Sequence, residues 1–144
     1  MERGMPMFAL TKQIKDTVKQ LSEVSDDDDC LAIADTLGKV TRMLEDCTKW
    51  MLVAFGGGNM HLASASSVAY LHLTGVVVGG WLMGRAALVS REKLRKGEGN
   101  LSFYKAKITT ARFYNDYILS QGFGYAHAIS KGGYSVLELT DDQF

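Results

Sequence analysis

Proline is almost absent from this chain, because Pro6 is the only one among its 144 residues. Turn signals are also few, and they fall in four short stretches: "SDDDD", "GGGN", "KGEGN" and "KGG". Sheet proteins need turns at short intervals, so this scarcity argues against a fold of many short strands. Long segments with apolar residues three and four positions apart lie between the stretches, and this spacing predicts an all-α protein.

The chain lacks an excess of either charge, with 16 basic and 16 acidic residues. Phosphate backbones usually require clustered Lys and Arg, so the balance argues against nucleic acid as the main partner. The densest basic run, "REKLRKGEG" at 91–99, is interleaved with acids. It predicts a solvated helix end rather than a phosphate site.

Cysteine is scarce too, with only Cys30 and Cys47. On one helix they would lie about 25 Å apart at about 1.5 Å per residue, which is too far for a disulfide. Reduced thiols and a cytoplasmic location are therefore expected. The opening "MERGMPMFAL" has no long apolar core and no cleavage-like site, so no secretory signal is predicted.

The usual signatures of catalysis and of metal binding are missing. The sequence contains no Glu-x-x-His, no Cys-x-x-Cys, no Gly-x-x-x-x-Gly-Lys and no Gly-x-Gly-x-x-Gly. We therefore predict no catalytic residue and no metal ligand, and we assign no cofactor-binding residue. His72 is expected to form a hydrogen bond inside the core, while His61 and His127 are expected at exposed segment ends. On the fourth segment, Lys105, Lys107 and Arg112 are expected to be solvated or paired with Asp116 rather than bound to phosphate.

The first two segments have clear amphipathic patterns. The first runs from about Met7 to Val24 with apolar residues at steps of three and four. In the second segment, Ser25 is the predicted N-cap, and Asp28 completes a capping box. The four aspartates are not expected to bind calcium, because they lack the spacing of a calcium loop. The apolar stripe of this helix is Cys30, Ile33, Leu37, Val40, Leu44, Cys47, Met51 and Ala54. The helix is expected to end at 56–58, where three glycines follow one another.

The third segment, from about Leu62 to Leu94, has the length and composition of a membrane span, and no charged residue lies between Lys49 and Arg85. Four glycines and His72 make it a marginal span, so a buried central helix is preferred. Its inward seam is predicted to be Ala65, Val68, His72, Gly75, Gly79, Leu82, Ala86 and Val89, with Leu71, Val78, Trp81 and Leu88 on the opposite face.

The fourth segment begins near Leu101, with Tyr104, Ile108, Ala111, Tyr114 and Ile118 facing inward and Phe103, Phe113 and Tyr117 widening the stripe. A shorter helix is expected from Tyr125 to Lys131, closing at Gly132–Gly133, and the tail "YSVLELTDDQF" is expected to dock on the bundle before turning acidic. The prediction is one helical domain over 1–144, an up-down four-helix bundle with a short extra C-terminal helix.

Two stretches resemble the extra C-terminal domain of a subgroup of acyl-CoA dehydrogenases. They are "ASASSVAYLHLTGVVVGGWLMGRAAL" and "FYKAKITTARFYNDYILSQGFGYAHAISKGGYSVLEL", and "GMPMFALTKQI" resembles the entry helix of that domain. The positions that carry the likeness are Tyr70, Leu71, Gly75, Gly80, Trp81, Lys107, Ala111, Arg112 and Phe113. At Ser120 the chain departs from the pattern, in which proline often follows the Ile-Leu pair, so the resemblance does not predict a kink there.

The resemblance implies a parent enzyme that carries FAD and oxidises an acyl-CoA substrate in its preceding domains. It implies no catalytic residue and no cofactor in this chain, which is then the C-terminal fragment of the flavoenzyme and has a structural or interface role. The expected partners are the parent's catalytic domains and a second copy, most simply in a two-fold dimer joined by aromatic or aliphatic residues. A stand-alone helical module that binds a protein partner or a membrane surface is the alternative.

Overall fold

A computed structural model describes residues 4–143, and within that range all regular elements are helical. They are five α-helices and two short 3-10 segments, in the order α1 Met5–Ser22, α2 Asp28–Gly56, α3 Met60–Lys96, α4 Leu101–Tyr117, a 3-10 turn Leu119–Gln121, α5 Gly122–Glu138 and a 3-10 turn Asp141–Gln143. The predicted all-α bundle is confirmed.

The first two helices bury the stripes that their spacing predicts. Within α1, Thr11, Ile14, Thr17 and Leu21 are buried. Seven of the eight predicted positions of α2 are buried, and Met51 is half-buried. Both cysteines lie in this core as free thiols.

The N-cap of α2 is Asp27, so the prediction of Ser25 as cap was wrong. The Asp27 carboxylate accepts hydrogen bonds from the backbone N–H groups of Asp29 and Cys30, at 3.1 and 3.0 Å. The same carboxylate accepts a 2.7 Å bond from Arg91 of α3. A tertiary contact that the local sequence does not reveal thus accompanies the cap at Asp27.

Glycine and asparagine set the boundaries between α2 and α3 and between α3 and α4. Gly58 has a φ of 84° between α2 and α3, and Gly97 has a φ of 68° at the C-cap of α3, where side chains are disfavoured. Asn59 caps α3 and Asn100 caps α4, each accepting a backbone N–H bond of 3.1 Å. The predicted breaks after α2 and α3 are confirmed.

The central helix α3 packs against all four other α-helices. Its buried face is shifted from the predicted seam: the buried residues are Leu62, Ala63, Ser66, Leu73, Val77, Gly80, Gly84, Ala87 and Ser90. Of the predicted seam, Ala65, Val68, His72, Gly75, Leu82 and Val89 are exposed. A helix that is apolar all round has little hydropathy contrast, so its neighbours and not its own pattern decide which face is buried.

Small residues on the true inner face let neighbouring side chains approach the α3 backbone. A Cβ at Gly80 would lie 3.0 Å from a methyl group of Leu119, and one at Gly84 would lie 3.0 Å from a methyl group of Leu21. Both glycines therefore have a packing role inside the molecule.

The fifth helix is longer than the predicted Tyr125–Lys131. Gly132–Gly133 does not end it, because Gly133 is buried in the helix and a Cβ there would lie 2.8 Å from Leu62. The predicted docking of the tail is also wrong, since Tyr134, Val136, Leu137 and Leu139 are exposed. Phe144, the last residue of the predicted tail, lies outside the described residues. Residues 1–3, the beginning of the segment in which no secretory signal is predicted, lie outside them as well.

The α-helix is interrupted between α4 and α5 without the proline that is frequent in the resembling pattern. A 3-10 turn over Leu119–Gln121 separates the helices, and Ser120 Oγ donates a 2.7 Å bond to the carbonyl of Asp116. Leu119 is fully buried against Gly80. The break is thus held by a buried leucine and a serine hydroxyl.

Within residues 4–143, α3 is the helix whose length and composition would allow it to cross a membrane. Only 28% of its most apolar window is buried, so the prediction of a helix enclosed on every side is wrong. One such helix is weak evidence for a span, because central helices of bundles have the same composition.

Candidate docking interface

An uncovered apolar face runs along α3. It is formed by Val68, Leu71, Gly75, Leu82 and Val89, whose spacing of three, four and seven places them on one side of the helix, and it is called the α3 stripe below. The four large side chains are between 50% and 69% exposed. Contiguous exposed apolar surface of this kind usually marks an interface.

Aromatic residues of α4 lie beside the stripe. Tyr114 Oη donates a 3.2 Å hydrogen bond to the carbonyl of Val76, and its ring lies against Gly79. Burial raises the pKa of Tyr114. On the next part of α4, Phe113 and Tyr117 stack with ring centroids 4.8 Å apart and are both exposed. Their predicted inward position was wrong, as it was for Phe103, which is also exposed.

On its other flank, α3 is fixed to α1 by a tryptophan. Trp81 Nε1 donates a 2.8 Å hydrogen bond to Thr17 Oγ1, which ties the two helices together. The Arg85 guanidinium lies 5.3 Å from the centroid of the indole ring, which is within cation–π range. Trp81 is therefore half-buried and held in place.

A second apolar surface lies on the other side of α5. It is an open groove of about 470 Å³ between α2 and α5, lined by Met43, Asp46, Cys47, Trp50, Phe123, Ala126, His127 and Ser130. The Cys47 thiol donates a 3.8 Å contact to the carbonyl of Ala126, and burial raises the pKa of this thiol to about 11. A thiol of this kind stays protonated near neutral pH, so the groove suits apolar side chains better than covalent chemistry.

Arginine and aspartate side chains connect the start of α2 to α3 and α4. Arg91 donates to Asp26 and Asp27, and the hydrogen bond from Arg91 lowers the pKa of Asp26. Arg112 donates to Asp29 at 3.1 Å and to Asp116 at 2.8 Å. The predicted pairing of Arg112 with Asp116 is confirmed, and these charges serve to hold helices together.

The other basic residues also behave as a solvated surface. In the 91–96 run, Lys93 pairs with Glu98, while Arg95 and Lys96 pair with Glu92. Lys105 is exposed, and Lys107 Nζ lies 5.5 Å from the Phe103 ring centroid.

The three histidines do not form a site together. His61 and His127 are exposed, as predicted. His72 is exposed too, so its predicted place in the core was wrong; it stacks on Tyr125 with centroids 5.3 Å apart. Among residues 4–143, no three His, Cys, Asp or Glu side chains are grouped as a metal site requires.

Comparison with known proteins identifies the family. A protein-family model described as acetyl-CoA dehydrogenase C-terminal like matches residues 10–140. The chain belongs to this family. The resemblance to the C-terminal domain of acyl-CoA dehydrogenases is thereby confirmed.

Two curated relatives carry the same kind of name. The chain is 26% identical over 147 aligned positions to a butyryl-CoA dehydrogenase of Syntrophomonas wolfei, covering 100% of the chain and 23% of the relative. It is 36% identical over 86 positions to a 3-methylmercaptopropionyl-CoA dehydrogenase of Ruegeria pomeroyi, covering 60% of the chain and 14% of the relative. The chain therefore spans less than a quarter of either relative. No solved structure gives a significant match.

The family positions divide between core and surface in this acyl-CoA dehydrogenase C-terminal-like domain. Tyr70 shares a 2.8 Å hydrogen bond with Thr48, Gly80 and Ala111 are buried, and Trp81 and Arg112 link helices. Leu71, Gly75 and Phe113 are instead exposed. The α3 stripe was missed in the sequence because the seam there was assigned to the inside.

Proposed function

We propose that this chain is the C-terminal helical domain of a larger FAD-dependent acyl-CoA dehydrogenase and that its role is structural. The family match over residues 10–140 carries the proposal. The small share of each relative that the chain covers supports it, because more than three quarters of either relative lies outside the match. In this proposal the parent acts on an acyl-CoA in the fatty acid metabolism of the cytoplasm, and the free buried thiols accord with that location.

The α2–α5 groove does not fit an FAD site. FAD carries a pyrophosphate, which proteins bind with backbone N–H groups at a helix start or with Arg and Lys. The lining of the α2–α5 groove contains no Lys or Arg and includes the acid Asp46. We therefore place flavin, thioester and catalytic base in the other domains of the parent.

Two separate apolar surfaces support an interface role. The α2–α5 groove offers a concave site with Met43, Trp50 and Phe123, which suits aliphatic or aromatic side chains of the catalytic body. The α3 stripe offers a long exposed apolar face on α3. A domain placed between a catalytic body and a neighbouring subunit needs two such faces.

The isolated chain tests whether flavin binding and acyl-CoA oxidation belong to the other domains of the parent. Purified alone, residues 1–144 are expected to be colourless and unable to reduce a dye on addition of acyl-CoA. The parent enzyme, assayed in parallel, is the positive control. Flavin absorbance in the isolated chain together with acyl-CoA-dependent dye reduction would contradict the proposal.

A stand-alone module that binds a membrane surface is the second candidate, and the apolar length of α3 favours it. Against it, the helices that pack against α3 carry charged outer faces, which a bilayer would have to accommodate. Flotation with vesicles of phosphatidylcholine and phosphatidylglycerol separates the two. We expect the chain to stay in the aqueous fraction, and co-flotation would favour the second candidate.

A further inference from the structure

We infer that the α3 stripe binds the α3 stripe of a second copy, with the two helices antiparallel about a two-fold axis between Val78 and Gly79. This inference deepens the proposed function, since it names the face through which neighbouring subunits meet. It rests on the surface of this chain and on the proposed interface role.

Gly75 supplies the first argument. A glycine in the middle of a helix destabilises the helix relative to alanine unless packing requires it. Packing inside the molecule requires glycine at three positions of α3. A Cβ would meet Tyr114 at Gly79, Leu119 at Gly80 and Leu21 at Gly84. At Gly75 a Cβ would meet nothing within 4 Å, and the residue is exposed. A partner outside the molecule would give this glycine a packing role.

The order of large and small residues along the stripe supplies the second argument. Turning α3 about the point between Val78 and Gly79 brings Gly75 opposite Leu82 of the second copy. The same operation brings the layer of Val68 and Leu71 opposite the layer of Ala86 and Val89. Leu82 of each copy then packs on Gly75 of the other copy, so this contact occurs twice in the dimer. Both copies use the same surface, as a two-fold interface requires.

Charge supplies the third argument and fixes the direction. In a parallel in-register pair, Arg85, Glu92 and Lys93 would each lie beside the identical residue of the second copy. In the antiparallel pair, the positions opposite them are His72, Ala65 and Ser64. Juxtaposed like charges disfavour the parallel arrangement, so the charges select the antiparallel one.

The available area is enough for a reversible dimer. From Val68 to Val89 the stripe is about 32 Å long at about 1.5 Å per residue. A contact of that length and about 15 Å wide covers roughly 1,000 Å² on the two copies together, which is near the lower limit of specific interfaces. The exposed Phe113 and Tyr117 lie on α4, which packs against α3, and they offer further apolar surface.

Sedimentation equilibrium across a dilution series tests the pairing. Wild-type chain is expected to dimerise, and Gly75→Leu is expected to weaken the dimer by about 10-fold or more through overpacking against Leu82 of the second copy. Gly75→Leu/Leu82→Ala exchanges the large and small positions and is expected to recover dimerisation. Gly132→Leu is the matched control, because Gly132 is also an exposed helical glycine whose Cβ would meet nothing within 4 Å.

Cysteine substitutions test the register independently of affinity. Gly75→Cys/Leu82→Cys is expected to form an intermolecular disulfide. The two positions lie about 10 Å apart within one helix, which is too far for an internal bridge. Each single cysteine variant is expected to stay uncrosslinked. In the antiparallel pair, the introduced cysteine lies about 10 Å from the same cysteine of the second copy.

A monomeric mass at all concentrations, an undiminished dimer in Gly75→Leu, or crosslinking of the single variants would each overturn the inference. A monomer that floats with the vesicles described above would overturn it in favour of a membrane surface. None of these results alters the flavoenzyme assignment, which depends on the flavin and acyl-CoA activity of the parent.

Discussion

Gly79 is a residue whose neighbour determines what can replace it. Its Cα lies against the Tyr114 ring, and that ring is fixed by the hydroxyl bond to the carbonyl of Val76. Gly79→Leu therefore has to displace Tyr114 or shift α3 from α4. We expect a loss of about 1–3 kcal/mol in unfolding free energy, measured by urea denaturation.

Gly79→Leu/Tyr114→Ala is the control for that cause. If the Tyr114 ring is the obstacle, the leucine is expected to cost much less in the Tyr114→Ala background than in wild type. An undiminished urea midpoint for Gly79→Leu alone would show that this position faces open space.

At single positions, sequence reasoning succeeded where side-chain chemistry is decisive. It paired Arg112 with Asp116 and gave both cysteines to the core, and the structure confirms both. It failed at His72, which is exposed beside Tyr125, because an apolar surrounding in the sequence does not imply burial in the fold.

The start of α2 gives a prediction at the scale of one element. Asp27→Ala removes the acceptor of two backbone N–H groups and one partner of Arg91. We expect a loss of about 1–2 kcal/mol in unfolding free energy, which thermal or urea denaturation measures. Ser25→Ala, at the exposed position that the sequence suggested as cap, is the matched control and should change little. Equal losses from the two variants would contradict the assignment of the cap.

Helix boundaries were predictable where the sequence contains a physical stop signal. The glycines at 56–58 and Gly97 end α2 and α3 because they adopt conformations that other residues disfavour or that terminate helical pairing. Gly132–Gly133 has the same composition and does not stop α5, because Gly133 packs within the helix against Leu62 and Ser66. Tertiary packing overrode the local signal, and the sequence of α5 alone does not contain that information.

The residues of α3 alone did not reveal which face of the helix is buried. Its sequence offers apolar side chains in all directions, so the buried face was assigned one residue away from the true one. In α1 and α2, charged residues marked the outer face, and the predicted stripes were confirmed. The interface candidate on α3 depended on which face is buried, and this explains why only the structure revealed it.

At the scale of the whole molecule, carboxylates whose pKa values are lowered by hydrogen bonds make stability depend on pH. Burial alone would raise the pKa of Glu45, but hydrogen bonds from Lys15 and Thr11 outweigh it and hold the pKa below 4.5. Hydrogen bonds from Asn115 and Arg112 lower the pKa of Asp116. Because these pKa values are lower in the folded state, the unfolded chain binds more protons in acid.

The stability from these groups is therefore present above their ordinary pKa values and is lost as pH falls through the lowered ones. We expect the urea midpoint to be steady between about pH 5 and 7 and to fall below about pH 4.5. Glu45→Gln should make this acid dependence shallower, whereas Glu23→Gln, at an exposed position, should leave its shape unchanged. A midpoint that rises on acidification would contradict the assigned direction.

We propose that these residues are one domain of a larger flavoenzyme. The most direct measurement is the mass and visible spectrum of the native polypeptide that carries this sequence, purified from its host without detergent. We expect a polypeptide several times larger than 15.8 kDa that absorbs as a flavoprotein and is bleached by acyl-CoA. A colourless native polypeptide of 15.8 kDa would contradict it.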